Sequence, residues 1–418
     1  MTDHRSLAAR FGTPLYVYDL DDVAAAHGAL RAALPDPCEL FYAFKANPHP
    51  DVARALREGA GRACGAEISS TGELAAARAA GYPTSSCLYT GPGKTRAELA
   101  EAVAGGVRLF SAESETDLRR IGAAADGRQV VVDCLLRVNS PASASATGLR
   151  MTGVPSRFGI DAETLPDALP RLLDVPGTRV IGAHFFPLSN AEDEQSLVDE
   201  FRRTVEVAAR LRDDAGLPLR FLDLGGGFAA PYGVPGERPA YPKLRAELED
   251  ALDLHLPGWR EGRPRLAFES GRHLVGGSGS LVAEVLDVKH SRGQVFVVLD
   301  AGINAFGGLS GLGRLLPASV RPVGGGRGSV VATLTGPLCT PGDLLGRDLT
   351  LPDLAVGDVV AIPNAGAYGL TASLVRFLGR EAPAEVVVRG DTVVSVSRLD
   401  HRREYAVTGP STLGGAQP

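Results

Sequence analysis

Lys45 closes the apolar run Phe41-Tyr-Ala-Phe-Lys45-Ala-Asn47 and is one of only four lysines, with Lys94, Lys243 and Lys289, in a chain holding 43 Lys plus Arg. Arginine stays protonated near neutral pH, so amine chemistry has few places to occur. The apolar neighbours of Lys45 predict a desolvation cost that lowers its pKa and makes it a better amine nucleophile. A lysine merely snorkelling at a strand end is the plain alternative. Further groups fall where candidate strands end: Glu67 before Ser69-Ser-Thr-Gly-Glu73, Arg137, then His184, Phe186 and Ser189. Asp223-Leu-Gly-Gly-Gly227 and Glu269-Ser-Gly-Arg272 complete the set. Three successive glycines, Gly225, Gly226 and Gly227, let backbone N–H groups approach an anion closely, although turns also use glycine. The Ser69–Glu73 stretch also reads as a helix N-cap.

These groups need a scaffold that brings strand ends together. Eight short β-rich runs supply it: 39–44, 62–68, 87–90, 107–111, 129–138, 178–186, 219–224 and 265–269. Helix-like stretches such as 71–80, 95–104 and 199–212 separate them. That alternation predicts an α/β chain, a (β/α)8 barrel whose active site collects at the C-terminal ends of the strands. A doubly wound open sheet is the structural alternative. After residue 280 the texture becomes Val- and Thr-rich, with runs at 281–288, 295–300, 329–334, 358–362, 385–389 and 392–397. We read residues 22–274 as the barrel and residues 1–21 with 275–409 as a mostly β domain. The N-terminal strand 14–18 joins that second sheet, and 410–418 is a disordered tail.

Charged residues make up 22% and the net charge is −6, which argues against a nucleic-acid footprint. No apolar run approaches a membrane span. The five cysteines, Cys38, Cys64, Cys87, Cys134 and Cys339, lack disulfide-framework or zinc spacing, so no metal is expected. The polar start Met1-Thr-Asp-His-Arg5 shows no signal peptide, and the cytoplasm is the expected location.

A nucleophilic amine, an anion cradle, an arginine and several acids on one rim match what pyridoxal phosphate requires: a lysine, a phosphate site, and a carboxylate that keeps the ring nitrogen protonated. With those residues in place, the chain resembles the fold-type III pyridoxal phosphate amino acid decarboxylases, the diaminopimelate, ornithine and arginine decarboxylase group. These are built as an alanine-racemase-like barrel plus a C-terminal β domain. The resemblance runs from Tyr16 to about Arg398. Tyr42-Ala-Phe-Lys-Ala-Asn47 is similar to Y-A-x-K-A-N, which implies that Lys45 forms the Schiff base. Gly65 to Leu74 is similar to G-x-D-x-x-S-x-G-E-L, with Glu67 for the usual Asp, and Ser156-Arg-Phe-Gly159 to S-K-F-G. Gly225 to Gly227 match the phosphate glycines. Glu269-Ser-Gly271-Arg272 is similar to E-P-G-R, which implies Glu269 at the pyridine nitrogen and Arg272 near the phosphate. Gly336-Pro-Leu-Cys339 with Asp343, and Gly366-Ala-Tyr368-Gly369, complete the resemblance. It implies Cys339 as the proton donor to Cα, Tyr368 close to the cofactor, and a homodimer in which the cysteine segment completes the partner's site. Glu67, Arg137, Phe186, Ser189 and Gly271 are the further expected cofactor contacts. Thr340, Asp343 and Arg314 join Cys339 and Tyr368 as expected substrate contacts.

The departures bear on substrate. Phe186 stands where relatives stack a histidine on the ring; a phenyl ring stacks but cannot titrate. Thr340 follows Cys339 where relatives acting on diamino acids place an acid. After Asp300-Ala-Gly-Ile-Asn304 comes a glycine-rich stretch before Arg314. The resemblance is therefore to the siderophore and antibiotic-pathway branch, which acts on conjugated or carrier-protein-bound amino acids. Diaminopimelate decarboxylation or racemisation on the same fold are the alternatives. A racemase site favours an arginine at the pyridine nitrogen, where this chain offers Glu269. A partner-binding pseudoenzyme would have lost Lys45, Glu269, Cys339 or Tyr368, and a lone pyridoxal phosphate carrier barrel would lack the β domain.

Overall fold

A computed structural model describes residues 3–59, 61–140, 149–150, 155–191, 193–307, 319–325 and 328–403. Arg314 and the expected tail 410–418 lie outside the described residues. Strand β1 (Leu15–Asp19) precedes the barrel strands β2 (Glu39–Ala43), β3 (Gly65–Ile68), β4 (Cys87–Tyr89), β5 (Leu109–Ala112), β6 (Val132–Asn139), β7 (Thr178–Phe185), β8 (Phe221–Asp223) and β9 (Arg265–Ser270). Each pairs in parallel with the next, and β9 pairs with β2, so the ring closes without an edge. Helices between the strands start at side-chain caps. Ser70 accepts from Glu73 N–H, and Thr95 and Glu98 cap each other reciprocally. Gly182 is required by closeness, because a Cβ there would meet the Phe221 carbonyl oxygen at 1.7 Å.

The two-residue side-chain period fixes which groups face inward. Phe41, Leu88, Leu135, Ile181, Phe221 and Ala267 pack together, with Leu109 against them, and fill the N-terminal end of the barrel. Two residues further along β5, β6, β8 and β9 come Ser111, Arg137, Asp223 and Glu269, all buried. The same inward row thus changes from apolar to polar as it rises toward the C-terminal rim.

The second sheet contains β10 (Gly279–Ser291), β11 (Gln294–Leu299), β12 (Val330–Thr335), β13 (Leu344–Leu351), β14 (Val359–Ile362), β15 (Ala384–Arg389) and β16 (Thr392–Arg398). Its order is β13-β12-β11-β10-β1-β15-β16, with β14 also on β10. β1 therefore sits inside this sheet, antiparallel to β10 and parallel to β15. β13 was not among the expected strands. Its Gly346-Arg-Asp348 centre reads as a turn, and the ladder absorbs it through register shifts and a positive φ of 51° at Asp348. No described helix is long and apolar enough to cross a membrane.

Candidate active site

Lys45 leaves the barrel in a single 3-10 turn after β2, and its side chain is 40% exposed toward the rim. Its Nζ lies 3.1 and 3.3 Å from the two carboxylate oxygens of buried Glu67, at the matching level of β3. Glu67 also accepts a short hydrogen bond from the Thr90 hydroxyl at the end of β4. The expectation that Lys45 has a lowered pKa is corrected here. Burial does push it down, but Glu67 and then Glu269 outweigh that cost and hold the ammonium above its ordinary value. The sequence neighbours are apolar, whereas the deciding acids arrive from other strands.

Opposite Lys45, Glu269 Oε1 is 3.2 Å from His184 Nε2, and His184 Nδ1 shares a 2.7 Å hydrogen bond with the Ser111 hydroxyl. Neither Glu269 Oε1 nor His184 Nε2 makes a hydrogen bond among the described residues. Asp223 stands beside them; its Oδ1 accepts from Gly225 N–H at 2.9 Å and its Oδ2 has no partner. Burial and then Glu269 push the Asp223 carboxyl up to about 7. Glu269 itself is pulled below the usual range, because His184, with Lys45 and Arg137 behind it, outweighs the burial cost. His184 is raised in turn: burial opposes its charge, and Glu269 and Asp223 overcome it. The histidine that sequence left without a role is thus the ion partner of Glu269. Their ligand atoms and one of Asp223 lie within 4.8 Å of one another, so this corner presents two carboxylates converging on one point.

The wall between these groups is built from glycine. Gly226, Gly227, Ser189, Asn190, Gly271 and Arg272 surround one cavity together with Lys45, Phe186, Glu269 and Tyr368. A Cβ on Gly226 would meet the Glu269 carbonyl at 2.6 Å and the Phe186 ring at 3.3 Å, and Gly227 holds φ at +115°. Gly225 donates its N–H to Asp223 and holds φ at +74°. Gly226 and Gly227 line the cavity. The Arg272 guanidinium lies 4.7 Å from the Tyr368 ring centre and 5.4 Å from that of Tyr232. Tyr368 is held at φ +52°, its N–H donated to Ala46 O at 2.7 Å. That bond ties the Gly366–Gly369 turn of the second domain to the residue after Lys45. Lys45 Nζ and the Arg137 guanidinium sit 5.3 and 5.8 Å from the centre of Phe186.

Arg137 is itself fixed by Glu113 at 3.0 Å, and Glu113 also accepts from Gly159 N–H at 2.9 Å. Glu113, Thr90 and Ser111 were missed by sequence reasoning. The signal was the two-residue step onward from Leu109 through Ser111 to Glu113. The cysteine segment is not brought into this cavity. Cys339 is exposed and does not line it. Asp343 was expected to meet substrate. It is buried, and its two oxygens accept from Ile303 N–H at 2.8 Å and Leu338 N–H at 2.7 Å. Thr340 accepts from Gly342 N–H at 3.3 Å within the same turn. A cleft of about 510 Å³ at the opposite mouth, lined by residues such as Arg31, Tyr82 and Arg108, carries none of the rim groups.

The arrangement fits a planar, phosphorylated aldehyde. Glycines lie beside an arginine, an aromatic face flanks an amine, and buried carboxylate and imidazole atoms without a hydrogen bond among the described residues stand at the far edge. The family model for the pyridoxal binding domain of pyridoxal-dependent decarboxylases matches residues 20–276. The L-glutamyl-[BtrI acyl-carrier protein] decarboxylase of Niallia circulans is 32% identical over 404 residues, covering 94% of this chain and 92% of that protein. The 2-[(L-alanin-3-ylcarbamoyl)methyl]-2-hydroxybutanedioate decarboxylase of Staphylococcus aureus is 29% identical, over 88% and 92%. The diaminopimelate decarboxylase of M. jannaschii, solved with L-lysine, superposes with a TM-score of 0.81 at 25% identity, over 94% of this chain and 90% of that one.

Proposed function

Because the chain belongs to the pyridoxal-dependent decarboxylases, we propose that this enzyme removes the α-carboxylate of an amino acid whose distal end is conjugated or carrier-bound, not free and cationic. One observation carries the substrate reading. The cysteine loop, residues 336–343, presents no free carboxylate: Thr340 replaces an acid, and Asp343 spends both oxygens on backbone N–H groups. A distal ammonium reaching that loop would be desolvated without a counter-charge, a cost of several kcal/mol. The N. circulans and S. aureus relatives, whose names place a carrier protein or a carbamoyl link on the substrate, support the same direction. The assignment to secondary metabolism rests on the first of them.

Pyridoxal phosphate supplies the electron sink that stabilises the carbanion left when carbon dioxide departs. Lys45, whose amine faces the cavity, would hold it. Gly226, Gly227, Ser189 and Arg272 would hold its phosphate, and Phe186, with Arg137 beside it, would flank its ring. Glu269 keeps a proton at the ring nitrogen, and His184, anchored by Ser111, keeps Glu269 ionised and in place. Cys339 delivers a proton to Cα from the partner subunit in a homodimer, consistent with its exposure and its absence from the cavity of its own chain. Carbon dioxide release from carrier-bound glutamate, free glutamate, lysine, ornithine and diaminopimelate tests the reading. Turnover confined to the conjugate is expected; efficient turnover of free diaminopimelate would support the lysine-pathway alternative instead.

A further inference from the structure

A groove of about 810 Å³ lies outside the active site, between the residues after β16 and the turn at 376–382. Arg376, Arg380, Arg398, His401, Arg402 and Arg403 line it. The acids there are Glu381, paired with Arg398 at 2.6 Å, and Asp400, 3.9 Å from Arg402. Arg376 and Arg403 have no acidic partner among the described residues. Five arginines against two acids give a local positive excess on a chain of net charge −6. Leu399 lines the groove and is 39% exposed, and Phe377 and Leu378, 42% and 53% exposed, belong to the adjoining turn. Leu378 on that turn holds φ +57°, a left-handed backbone that a leucine rarely adopts. Arg380 also donates to Pro337 O at 3.0 Å, so the groove abuts the loop that carries Cys339.

We propose that this basic, apolar-studded groove docks an acidic carrier protein that delivers the substrate. The inference rests on the carrier-bound reading above. A second copy presenting the same patch would repel it. A free polyanion would use the arginines but not the exposed Leu399 among them or the apolar turn beside them.

The test is kinetic, on the holoenzyme, with glutamyl-loaded BtrI acyl-carrier protein and glutamyl-N-acetylcysteamine as a carrier-free surrogate. The variant is R376E/R402E/R403E, which leaves Arg380 and Arg398 in their contacts; R402Q/R403Q is the gentler version if the first fails to fold. We expect kcat/KM on the loaded carrier to fall at least tenfold through KM, more at low salt than at high salt, with the surrogate unchanged. Leu378→Asn should weaken the carrier selectively as well. Equal loss on both substrates, or no loss on the carrier, overturns docking. Binding of unloaded carrier protein is measured in parallel. If it binds wild type and not the variant while neither substrate is turned over, docking stands and the substrate reading fails. If the surrogate is turned over and the carrier does not bind, the reverse holds. Variant-sensitive sedimentation with vesicles containing phosphatidylserine, without carrier binding, overturns it in favour of a membrane surface.

Discussion

Replacing Glu67 by Gln should make Lys45 a free amine at lower pH. Glu67 is buried, and both its oxygens lie within 3.3 Å of Lys45 Nζ. At an effective dielectric near 20, a full charge pair at about 4 Å is worth about 4 kcal/mol. The Lys45 side chain is 40% exposed, so solvent screening reduces what the pair contributes to about 1–2 kcal/mol. That corresponds to about a tenfold change in proton affinity. The sign is fixed by which charge is removed. Without the Glu67 carboxylate the burial cost is less opposed, the ammonium loses its proton more readily, and the amine fraction at a given pH rises. Glutamine keeps the side-chain volume and can still accept from Thr90. The assay is reconstitution of apoprotein with pyridoxal phosphate, followed by the visible absorbance of the lysine-bound cofactor from pH 6 to 10. The Glu67→Gln profile should move about one pH unit lower, with attachment at pH 7.5 about tenfold faster. An unmoved profile, or one moved upward, would refute the role given to Glu67.

Two further outcomes follow from buried or exposed groups. Glu385 on β15 is buried and accepts from the Tyr18 hydroxyl at 3.1 Å, and burial pushes its carboxyl up to about 7. Its folded pKa lies above the unfolded value, so its contribution is fully present below about pH 4.3 and is lost as pH rises through 7. Glu385→Gln should therefore gain stability over wild type between pH 5 and pH 8, by at most about 3 kcal/mol, read as a widening melting-temperature difference; a constant or narrowing difference contradicts this. Cys339→Ala should retain cofactor while turnover falls by about 10²-fold or more, as for loss of a general acid, and normal turnover would exclude the thiol as proton donor.

Much of the barrel was legible because parallel strands buried on both faces are short Val/Leu/Phe-rich runs between amphipathic helices. The rim was legible for the same reason: Glu67, Arg137, Asp223 and Glu269 each sit at or beside a strand's C-terminal end. What the chain did not disclose is non-local. Lys45 was read from its apolar neighbours, whereas its charge state is set by Glu67 from β3 and Glu269 from β9. Lys94 lies in a turn-like Gly91-Pro-Gly-Lys94, and its burial 2.6 Å from Asp117, 23 residues along, is not written in that stretch. Asp343 matched a motif, but its carboxylate closes its own loop. The pairing of His184 with Glu269 joins two strands that are not neighbours in the ring, so no local pattern encodes it.

The assignment of the rim depends most on which lysine holds the cofactor. Lys94 is also near a strand end, but its ammonium is enclosed with Asp117, while Lys45 faces the cavity bounded by Gly226, Glu269 and Tyr368. Borohydride reduction of the holoenzyme followed by peptide mass mapping decides between them. We expect the reduced pyridoxyl adduct on Lys45 alone, with adduct and bound-cofactor absorbance both lost in Lys45→Ala. An adduct on Lys94, or an intact chromophore in Lys45→Ala, would contradict the account.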